Sequence, residues 1–196
     1  MCPAQGFACF DTALGICGIA WGQDGIVGVQ LPEVDAAATR ARMQRRFPGL
    51  AEATPTPEAQ QAIAGVQGLL RGERSGLQDI RLDMTGVPEF HRRAYQMARS
   101  LAVGETISYG EMARRLGEPG AARAVGQAMG SNPFAPIVPC HRVLAAGGRS
   151  GGFSAPGGAR TKLRMLAIEG AAPNGPMPVP MTATKPAPEP QRRLMR

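Results

Sequence analysis

The first third of the chain alternates short runs of strand-forming residues with residues that favour turns. Three such runs occupy residues 6–10, 16–21 and 26–31. Asp11-Thr12 separates the first run from the second, and Gly22-Gln23-Asp24-Gly25 separates the second from the third. Short connections of this composition join neighbouring antiparallel strands. The pattern therefore predicts a three-stranded antiparallel meander.

Two helices and a further strand are predicted to follow the meander. Asp35 precedes a segment of alanine and arginine over residues 36–47, which Pro48-Gly49 stops. Thr56-Pro57 begins a second helical segment that runs to Gly72. Asp and Thr are favoured N-cap residues, and proline is tolerated in the first helical turn. Residues 80–84 alternate apolar and polar side chains, as a half-buried strand does. The first half is thus predicted to be a small α+β unit that serves as a structural platform.

The second half of the chain has the spacing of three helices. Residues 88–101 carry an apolar stripe at helical intervals. Ser108 and Glu111 have the spacing of a capping box. After a Glu-Pro-Gly turn, residues 121–129 are mostly small, with Arg123 as the long cation. Two short helices joined by a tight turn predict a helix-turn-helix, which places its second helix in a DNA groove. The alternative is an ordinary helical hairpin with a solvated arginine.

Cys140 lies beside His141 and Arg142, between two short apolar runs, and follows Pro139. A thiol reacts as its thiolate, and a neighbouring imidazole or cation lowers the thiol pKa. Adjacent residues on a strand point to opposite faces, so Cys140 and His141 can cooperate only if the backbone turns here or a water bridges them. The alternative is an inert cysteine buried in a strand.

The charge of the chain is concentrated in the half that carries Cys140. The net charge is +7 over 196 residues. Residues 1–90 contain 7 basic and 10 acidic residues, residues 91–170 contain 11 basic and 4 acidic residues, and residues 171–196 contain 4 basic residues and 1 acidic residue. This distribution predicts a polyanionic partner for the second half. The chain has no apolar run of membrane-spanning length and no charged-then-apolar leader, so a cytoplasmic protein with no membrane contact is expected.

The four cysteines, Cys2, Cys9, Cys17 and Cys140, include no Cys-x-x-Cys pair, and no disulfide framework is expected. A structural metal at Cys9 and Cys17 is an alternative to plain burial of these two thiols. The only histidines are His91 and His141, and the second is needed beside Cys140. No metal and no cofactor are therefore predicted.

The carboxy-terminal part of the chain contains a loop, a helix and a tail. Residues 147–154 are rich in glycine, residues 160–169 have the spacing of a helix that Gly170 closes, and residues 171–196 are rich in proline and predicted to be disordered. The predicted organisation is an α+β protein with an amino-terminal domain over residues 1–86 and a mostly helical, winged-helix-like domain over residues 87–170. A thiol cannot reach a base inside a stacked duplex, so chemistry on DNA would require base flipping.

Several motifs together resemble those of the methylated-DNA–protein-cysteine methyltransferases, also called O6-alkylguanine-DNA alkyltransferases. The resemblance is strong over residues 88–170 and moderate over residues 7–33. In chain order the main motifs are Ile107-Ser108-Tyr109-Gly110-Glu111, Ala121-Ala122-Arg123-Ala124-Val125-Gly126, Asn132-Pro133, Pro139-Cys140-His141-Arg142-Val143, and residues 162–170.

The resemblance implies that Cys140 takes the alkyl group from O6-methylguanine, and from O4-methylthymine, in duplex DNA. The thiolate would displace the base in line and keep the alkyl group as a thioether, so each molecule would react once. His141 would take the thiol proton through a water, and Glu169 would orient and stabilise His141. Tyr109 would donate a proton to the base ring and help guanine leave as a neutral species.

The resemblance also implies a set of binding residues. Arg123 would enter the base stack in place of the flipped nucleotide, and the further DNA-binding residues would be Ser108, Met129 and Arg142. For Met129 the alternative is a position in the core. The substrate-binding group comprises the Val143 backbone and Ser154, which would read the guanine edge, and Asn132, which would hold the turn beneath Cys140. The loop at residues 153–158 is longer than in many relatives and contains a proline, which bears on the size of alkyl group that the pocket accepts.

Two other functions are compatible with parts of this pattern. A DNA-binding sensor or regulator would also use the helix-turn-helix, but it would not need Cys140, His141, Glu169 and Tyr109 together. A cysteine hydrolase would need a hydrolysable acyl intermediate and an oxyanion site, and the sequence contains no legible oxyanion arrangement. The sequence therefore predicts a monomeric, single-turnover repair protein acting on double-stranded DNA.

Overall fold

The computed structural model describes residues 5–73 and 77–171 of the chain. Over these residues it contains helices and short strands. The strands are β1 (Gly6–Thr12), β2 (Gly15–Gly22), β3 (Gly25–Gln30), β4 (Ile107–Ser108) and β5 (Val143–Leu144). The α-helices are α1 (Ala36–Arg46), α2 (Pro57–Leu70), α3 (Glu89–Ser100), α4 (Tyr109–Arg115), α5 (Ala122–Gly130) and α6 (Ala159–Ile168), and the 3-10 turns are Cys140–Arg142 and Ala146–Gly148. The predicted disordered tail falls almost wholly on residues 172–196, which lie outside the described residues.

The amino-terminal sheet is the predicted meander. Its strands are antiparallel in the order β1-β2-β3. Helix α1 packs closely on the sheet because two glycines leave room for it. A Cβ atom added at Gly18 would lie 2.5 Å from Met43 Cγ, and one at Gly28 would lie 2.5 Å from Phe47 Cζ. Because these separations are below any normal contact, the sheet needs glycine where α1 crosses it.

The predicted N-caps of the first two helices are confirmed. Asp35 Oδ1 accepts a hydrogen bond of 2.7 Å from Ala38 N, and Thr56 Oγ1 accepts one of 3.3 Å from Ala59 N. Each bond satisfies an amide that the helix itself leaves without a partner. Local sequence alone therefore determines where α1 and α2 begin.

The strand predicted over residues 80–84 is wrong. This segment makes only an isolated parallel bridge between Leu82 and Ile26, with the hydrogen bonds Ile26 N to Arg81 O and Asp83 N to Ile26 O, both of 2.9 Å. The segment then turns, because the Asp83 carboxylate accepts a bond of 2.9 Å from Thr85 N. Alternating apolar and polar side chains indicate that one face of a segment packs on the core. They do not show that its backbone pairs with a neighbouring strand.

The second half contains the predicted helix-turn-helix, formed by α4 and α5 with α3 behind them. Ser108 Oγ accepts a bond of 3.0 Å from Glu111 N, as the capping box requires. The Glu111 carboxylate instead pairs with Arg114 and Arg115, so the reciprocal half of the box does not form. The Tyr95 hydroxyl donates to Ala128 O at 3.0 Å and ties α5 to α3 in the core.

The two halves are joined beside the predicted reactive segment. Strand β3 contacts the loop that precedes Cys140 through a hydrogen bond of 2.8 Å from Val29 N to Pro133 O. Ile137 and Met165 are buried in the same apolar cluster as Trp21 and Ile19 of the sheet. Strands β4 and β5 pair in parallel, which brings the segment after Cys140 against the start of α4. The amino-terminal half therefore packs against the loop that precedes Cys140 and helps to hold it in place.

The mixed α+β fold predicted from the sequence is confirmed, whereas the domain boundaries at residues 86 and 170 remain predictions. In the part of the chain that the structure describes, no helix is both long enough and apolar enough to cross a membrane. Within those same residues, no three metal-ligating side chains of His, Cys, Asp or Glu lie together.

Candidate active site and DNA-facing helix

Cys140 lies at the start of a 3-10 turn and not on a strand. The backbone bonds Cys140 N to Val138 O, at 2.8 Å, and Arg142 N to Pro139 O, at 2.9 Å, fix this turn. The residue is 4% exposed. Burial raises the pKa of the Cys140 thiol, and a hydrogen bond with Asn132 and the charge of Lys162 oppose that rise. The backbone turn is one of the two conditions under which Cys140 and its neighbour His141 can act together.

Glu169, the residue after α6, connects the groups around Cys140. Its Oε1 is 2.8 Å from His141 Nε2 and accepts a bond of 2.8 Å from Arg142 Nη2. Its Oε2 accepts from Arg142 Nε at 2.9 Å and from Gly104 N at 3.2 Å. Burial alone would raise the pKa of Glu169, but the hydrogen bonds and charges of His141 and Arg142 lower it to about 2. Glu169 is therefore a carboxylate at every physiological pH.

These contacts assign the proton on His141. Because Glu169 is anionic and can only accept, His141 Nε2 carries the hydrogen and donates it. Burial lowers the pKa of His141, and the Glu169 carboxylate opposes that effect. The resting imidazole is thus neutral and its other nitrogen, Nδ1, has a free lone pair. Nδ1 is buried and has no hydrogen-bond partner among the described residues. The lone pair on Nδ1 is the one available to accept a proton from Cys140.

The predicted DNA-binding role of Arg142 is corrected by its position. The side chain is 7% exposed and binds Glu169 through two nitrogens, while Nη1 donates to Leu101 O at 2.7 Å. The guanidinium therefore faces the protein interior, where Glu169 and Leu101 already occupy its donors. Arg142 instead holds the Glu169 carboxylate in the position from which it contacts His141.

Lys162 is a site residue that the sequence reasoning missed. It is 1% exposed, and its Nζ donates to Val143 O at 2.7 Å. Burial lowers the pKa of Lys162 to about 8, and the nearby Cys140 opposes that fall. The signal was present in the helical spacing, because Lys162 shares one face of α6 with the buried residues Met165 and Leu166. A lysine on the buried face of a helix requires a partner.

Tyr109 begins α4 and faces the glycine-rich loop. Burial raises the pKa of its hydroxyl, and the nearby Cys140 raises it further. Lys162 Nζ lies 5.8 Å from the centre of its ring. A Cβ atom added at Gly151 would lie 2.9 Å from the Tyr109 hydroxyl oxygen, and Gly151 has a φ of +63°. The loop therefore approaches the phenol closely only because this residue is glycine.

Of the three predicted substrate-binding residues, Asn132 and Val143 bind other groups of the protein, and Ser154 lines a cleft. Both ends of the Asn132 amide bind backbone, with Nδ2 donating to Val138 O and Oδ1 accepting from Phe134 N, each at 2.9 Å. Asn132 thus holds the turn beneath Cys140, as predicted, and has no carbonyl directed at a base. Val143 is fully buried, and its carbonyl accepts from Lys162. Ser154 lines the same cleft as Cys140.

The predicted DNA-facing surface consists mainly of the exposed residues of α5. Arg123 lies in the first turn of α5, is exposed, and makes no ion pair with any described residue. A Cβ atom added at Gly126 or Gly130 would meet nothing within 4 Å, so this face is flat and open. Met129 is 4% exposed and packs in the core, which is the alternative left open for it by the sequence. The Ser108 hydroxyl caps α4 through its bond to Glu111.

A cleft of about 440 Å³ runs from Cys140 to the amino-terminal half of the chain. Its walls are formed by Asn132, Phe153 and Pro156 together with residues of β3 and α1. A cleft of this size can hold a small organic group.

The fold and the site together define a helix-turn-helix protein in which a buried cysteine is followed by a histidine that is hydrogen-bonded to a carboxylate. Residues 89–171 match the family model described as the DNA-binding domain of 6-O-methylguanine DNA methyltransferase. Over 91 residues the chain is 50% identical to a methylated-DNA–protein-cysteine methyltransferase of Mycolicibacterium paratuberculosis, a match that covers 46% of this chain and 53% of that protein.

Two further comparisons extend the match. The crystal structure of Mycobacterium tuberculosis OGT in complex with DNA has a TM-score of 0.67 and 32% identity, covering 83% of this chain and 91% of that one. A Thermus thermophilus protein named DNA base-flipping protein is 42% identical over 120 residues, covering 59% of this chain and 79% of that protein. The chain belongs to the methylated-DNA–protein-cysteine methyltransferase family, as the sequence motifs predicted.

Proposed function

We propose that this protein repairs DNA by moving the alkyl group of O6-alkylguanine, chiefly O6-methylguanine, onto Cys140. The observation that carries the proposal is the arrangement of Cys140, His141 and Glu169 in one buried network beside a helix-turn-helix. A DNA-binding module without chemistry has no use for a thiol next to a histidine whose tautomer is set by a carboxylate. The substrate is a base in duplex DNA, because helix α5, which carries the exposed Arg123, packs in the same apolar cluster as Cys140.

The proton leaves the thiol before the alkyl group arrives. His141 Nδ1 takes the Cys140 proton through a water, and the positive charge that forms on the ring is stabilised by the Glu169 carboxylate 2.8 Å from Nε2. The Cys140 thiolate attacks the alkyl carbon, the sulfur–carbon bond forms as the carbon–O6 bond breaks, and the electron pair goes to guanine. Tyr109, whose raised pKa keeps its hydroxyl protonated, donates to the leaving base.

The reaction occurs once for each molecule. The product is a thioether, and no group near Cys140 can break a carbon–sulfur bond by hydrolysis at neutral pH. An acyl thioester would hydrolyse, which is how cysteine hydrolases turn over. The protein is consumed as it repairs, and the repaired guanine returns to the stack.

Base flipping follows from the burial of the thiol. Cys140 is 4% exposed, so a base must leave the duplex to reach it. Arg123 projects from the first turn of α5, where its long side chain occupies the gap in the stack, and the small exposed residues of α5 allow the helix to approach the groove. The same geometry serves O4-methylthymine. The protein acts as a monomer in the cytoplasm, where the DNA lies.

A lesion-sensing role is the second candidate, and the name of the Thermus thermophilus relative is the observation that favours it. Binding and flipping require α5 and Arg123 but not Cys140. The two functions therefore differ in whether the thiol gains mass after contact with the lesion.

Intact-mass spectrometry after incubation with duplex DNA containing O6-methylguanine tests the proposal. We expect one added methyl group per molecule, located on Cys140 by peptide mapping and absent from Cys140→Ala. The variant Cys9→Ala removes a partly exposed thiol on the amino-terminal sheet and serves as the matched control, which should be methylated as the wild type is. Tight binding to the lesion without any mass gain would refute repair and support sensing.

A further inference from the structure

Helix α5 presents two long side chains to solvent, and the proposed function uses only one of them. Within α5, all of which the structure describes, the buried residues are Val125, Ala128 and Met129. Among the other residues of this helix, only Arg123 and Gln127 have side chains longer than a methyl group, and both are exposed. Arg123 is assigned to the gap in the base stack. Gln127 is therefore the long polar side chain of this helix that has no role in the proposed function.

Gln127 lies on the same face of α5 as Arg123. Residues four apart in a helix are neighbours on its surface, one turn from each other. At a rise of about 1.5 Å per residue, their Cα atoms are separated by about 6 Å along the helix axis. Successive base pairs of a duplex are separated by about 3.4 Å. When Arg123 occupies the position of the flipped nucleotide, Gln127 therefore lies within about two base pairs of that position.

The side-chain amide of Gln127 has no hydrogen-bond partner in the described part of the chain. The backbone carbonyl of the same residue accepts hydrogen bonds from Ser131 N and Ser131 Oγ, both at 3.0 Å, and these bonds hold the end of the helix. A glutamine amide has a nitrogen that donates two hydrogen bonds and an oxygen that accepts. The Gln127 amide can therefore donate to a base edge and accept from it.

Glycine at position 126 allows another molecule to approach the backbone next to Gln127. Gly126 lies in the interior of α5, where glycine is less favourable than alanine. A Cβ atom added at Gly126 would meet nothing within 4 Å, whereas one added at Gly18 or Gly28 would lie 2.5 Å from a side-chain atom. The packing of the protein thus requires glycine at positions 18 and 28 but not at position 126. Close approach of a duplex to this face of α5 accounts for Gly126.

We propose that Gln127 recognises a base pair beside the lesion and so makes binding and repair depend on the neighbouring DNA sequence. This inference rests on the proposed function, in which α5 lies against the duplex, and it adds a residue that determines specificity. A·T and G·C pairs present different donors and acceptors in both grooves, so a side chain that donates and accepts discriminates between them in either groove. Contacts to phosphates carry no such information.

The test compares duplexes that differ only in the two base pairs on each side of O6-methylguanine, each exchanged in turn between A·T and G·C. Affinities are measured by fluorescence anisotropy at one salt concentration with Cys140→Ala, which binds without transfer, and with the same protein carrying Gln127→Met. Methionine has the helix propensity of glutamine and a side chain of similar length, but it lacks the amide. The ratio of the two affinities on each duplex cancels the cost of flipping the base, because that cost belongs to the DNA.

We expect Gln127→Met to weaken binding about fivefold or more for one identity of one flanking pair and less than about twofold for the other, since one side chain paired with a base edge gives at least this discrimination. Gln96→Met is the matched control, because Gln96 is an exposed glutamine of α3, outside the helix-turn-helix. It should leave the affinity for every duplex unchanged. An affinity ratio for Gln127→Met that is the same on all duplexes, as loss of a phosphate contact would produce, would overturn the inference.

Methyl transfer by the proteins that retain Cys140 is followed by intact mass on the same duplexes. At low DNA concentration the transfer rates of the wild type and Gln127→Met should differ most on the duplex where their affinities differ most. Failure of the wild type to transfer a methyl group from any duplex would refute the proposed function. The affinities test the role of Gln127 without transfer, so the two failures are distinguishable.

Discussion

Replacing Glu169 by glutamine should destabilise the protein by about 3 kcal/mol at neutral pH. The fall in the pKa of Glu169 from 4.5 to about 2 corresponds to about 3 kcal/mol of favourable interaction with the carboxylate form. The side chain is 1% exposed, so solvent screens this interaction little. Leaving Arg142 buried without its carboxylate is an independent route to the same figure, since breaking a buried ion pair costs about 3–5 kcal/mol.

The stability that Glu169 contributes should depend on pH in a definite direction. A carboxyl group whose pKa is lower in the folded state than in the unfolded state stabilises the protein when the pH is above the unfolded-state pKa. That stabilisation is lost as the pH falls through the folded-state pKa. The contribution of Glu169 is therefore complete above about pH 4.5 and disappears towards pH 2. Glutamine does not titrate, so the difference between wild type and Glu169→Gln should be largest at neutral pH and shrink in acid.

Urea denaturation at pH 7, 4.5 and 3 measures this difference through the fluorescence of Trp21, the single tryptophan, which is 1% exposed. Glu118→Gln is the matched control, because it makes the same change in an exposed ion pair with Arg93 and should cost less than about 1 kcal/mol. A loss below 1 kcal/mol for Glu169→Gln at pH 7, or a loss independent of pH, would refute the reasoning. The single-turnover rate should also fall about 100-fold, because the imidazolium loses its counter-charge.

Three further substitutions test separate parts of the site. Arg123→Ala should slow transfer from duplex DNA more than transfer from the free alkylated base, and equal losses on both substrates would contradict its role in the stack. Tyr109→Phe should slow transfer about 100-fold when rates are measured by intact mass, because the leaving guanine loses its proton donor. Lys162→Met should slow transfer at pH 7, since its charge lowers the pKa of the Cys140 thiol, and the deficit should narrow above about pH 8, where wild-type Lys162 loses its own proton.

The features that could be predicted from the sequence are those determined by neighbouring residues. The caps at Asp35, Thr56 and Ser108 each depend on an amide three residues away, and the structure contains all three bonds. The meander depends on short turns between strands, which are also local. The reactive segment around Cys140 could be found because its residues are adjacent in the chain.

The features that could not be predicted depend on residues far apart in the sequence. Arg142 is among the residues expected to bind DNA, but in the structure its partner is Glu169, 27 residues later. The segment at residues 80–84 alternates like a strand, but whether it joins a sheet is decided by its single bridge to Ile26. Arg46 Nη2 lies 3.4 Å from Pro133 O, 87 residues away in the chain, and no local pattern reports such a contact.

Burial keeps the Cys140 thiol in its unreactive, protonated form at rest. Burial raises the pKa of the Cys140 thiol and lowers the pKa of His141, so the resting pair is neutral and the thiolate is scarce. Glu169 is anionic throughout and favours the charged imidazole, so it favours transfer of the thiol proton to His141. A protein that is consumed by its reaction gains from this balance. A permanently ionised thiol would react with any electrophile, whereas a thiol that is neutral at rest is protected from such side reactions.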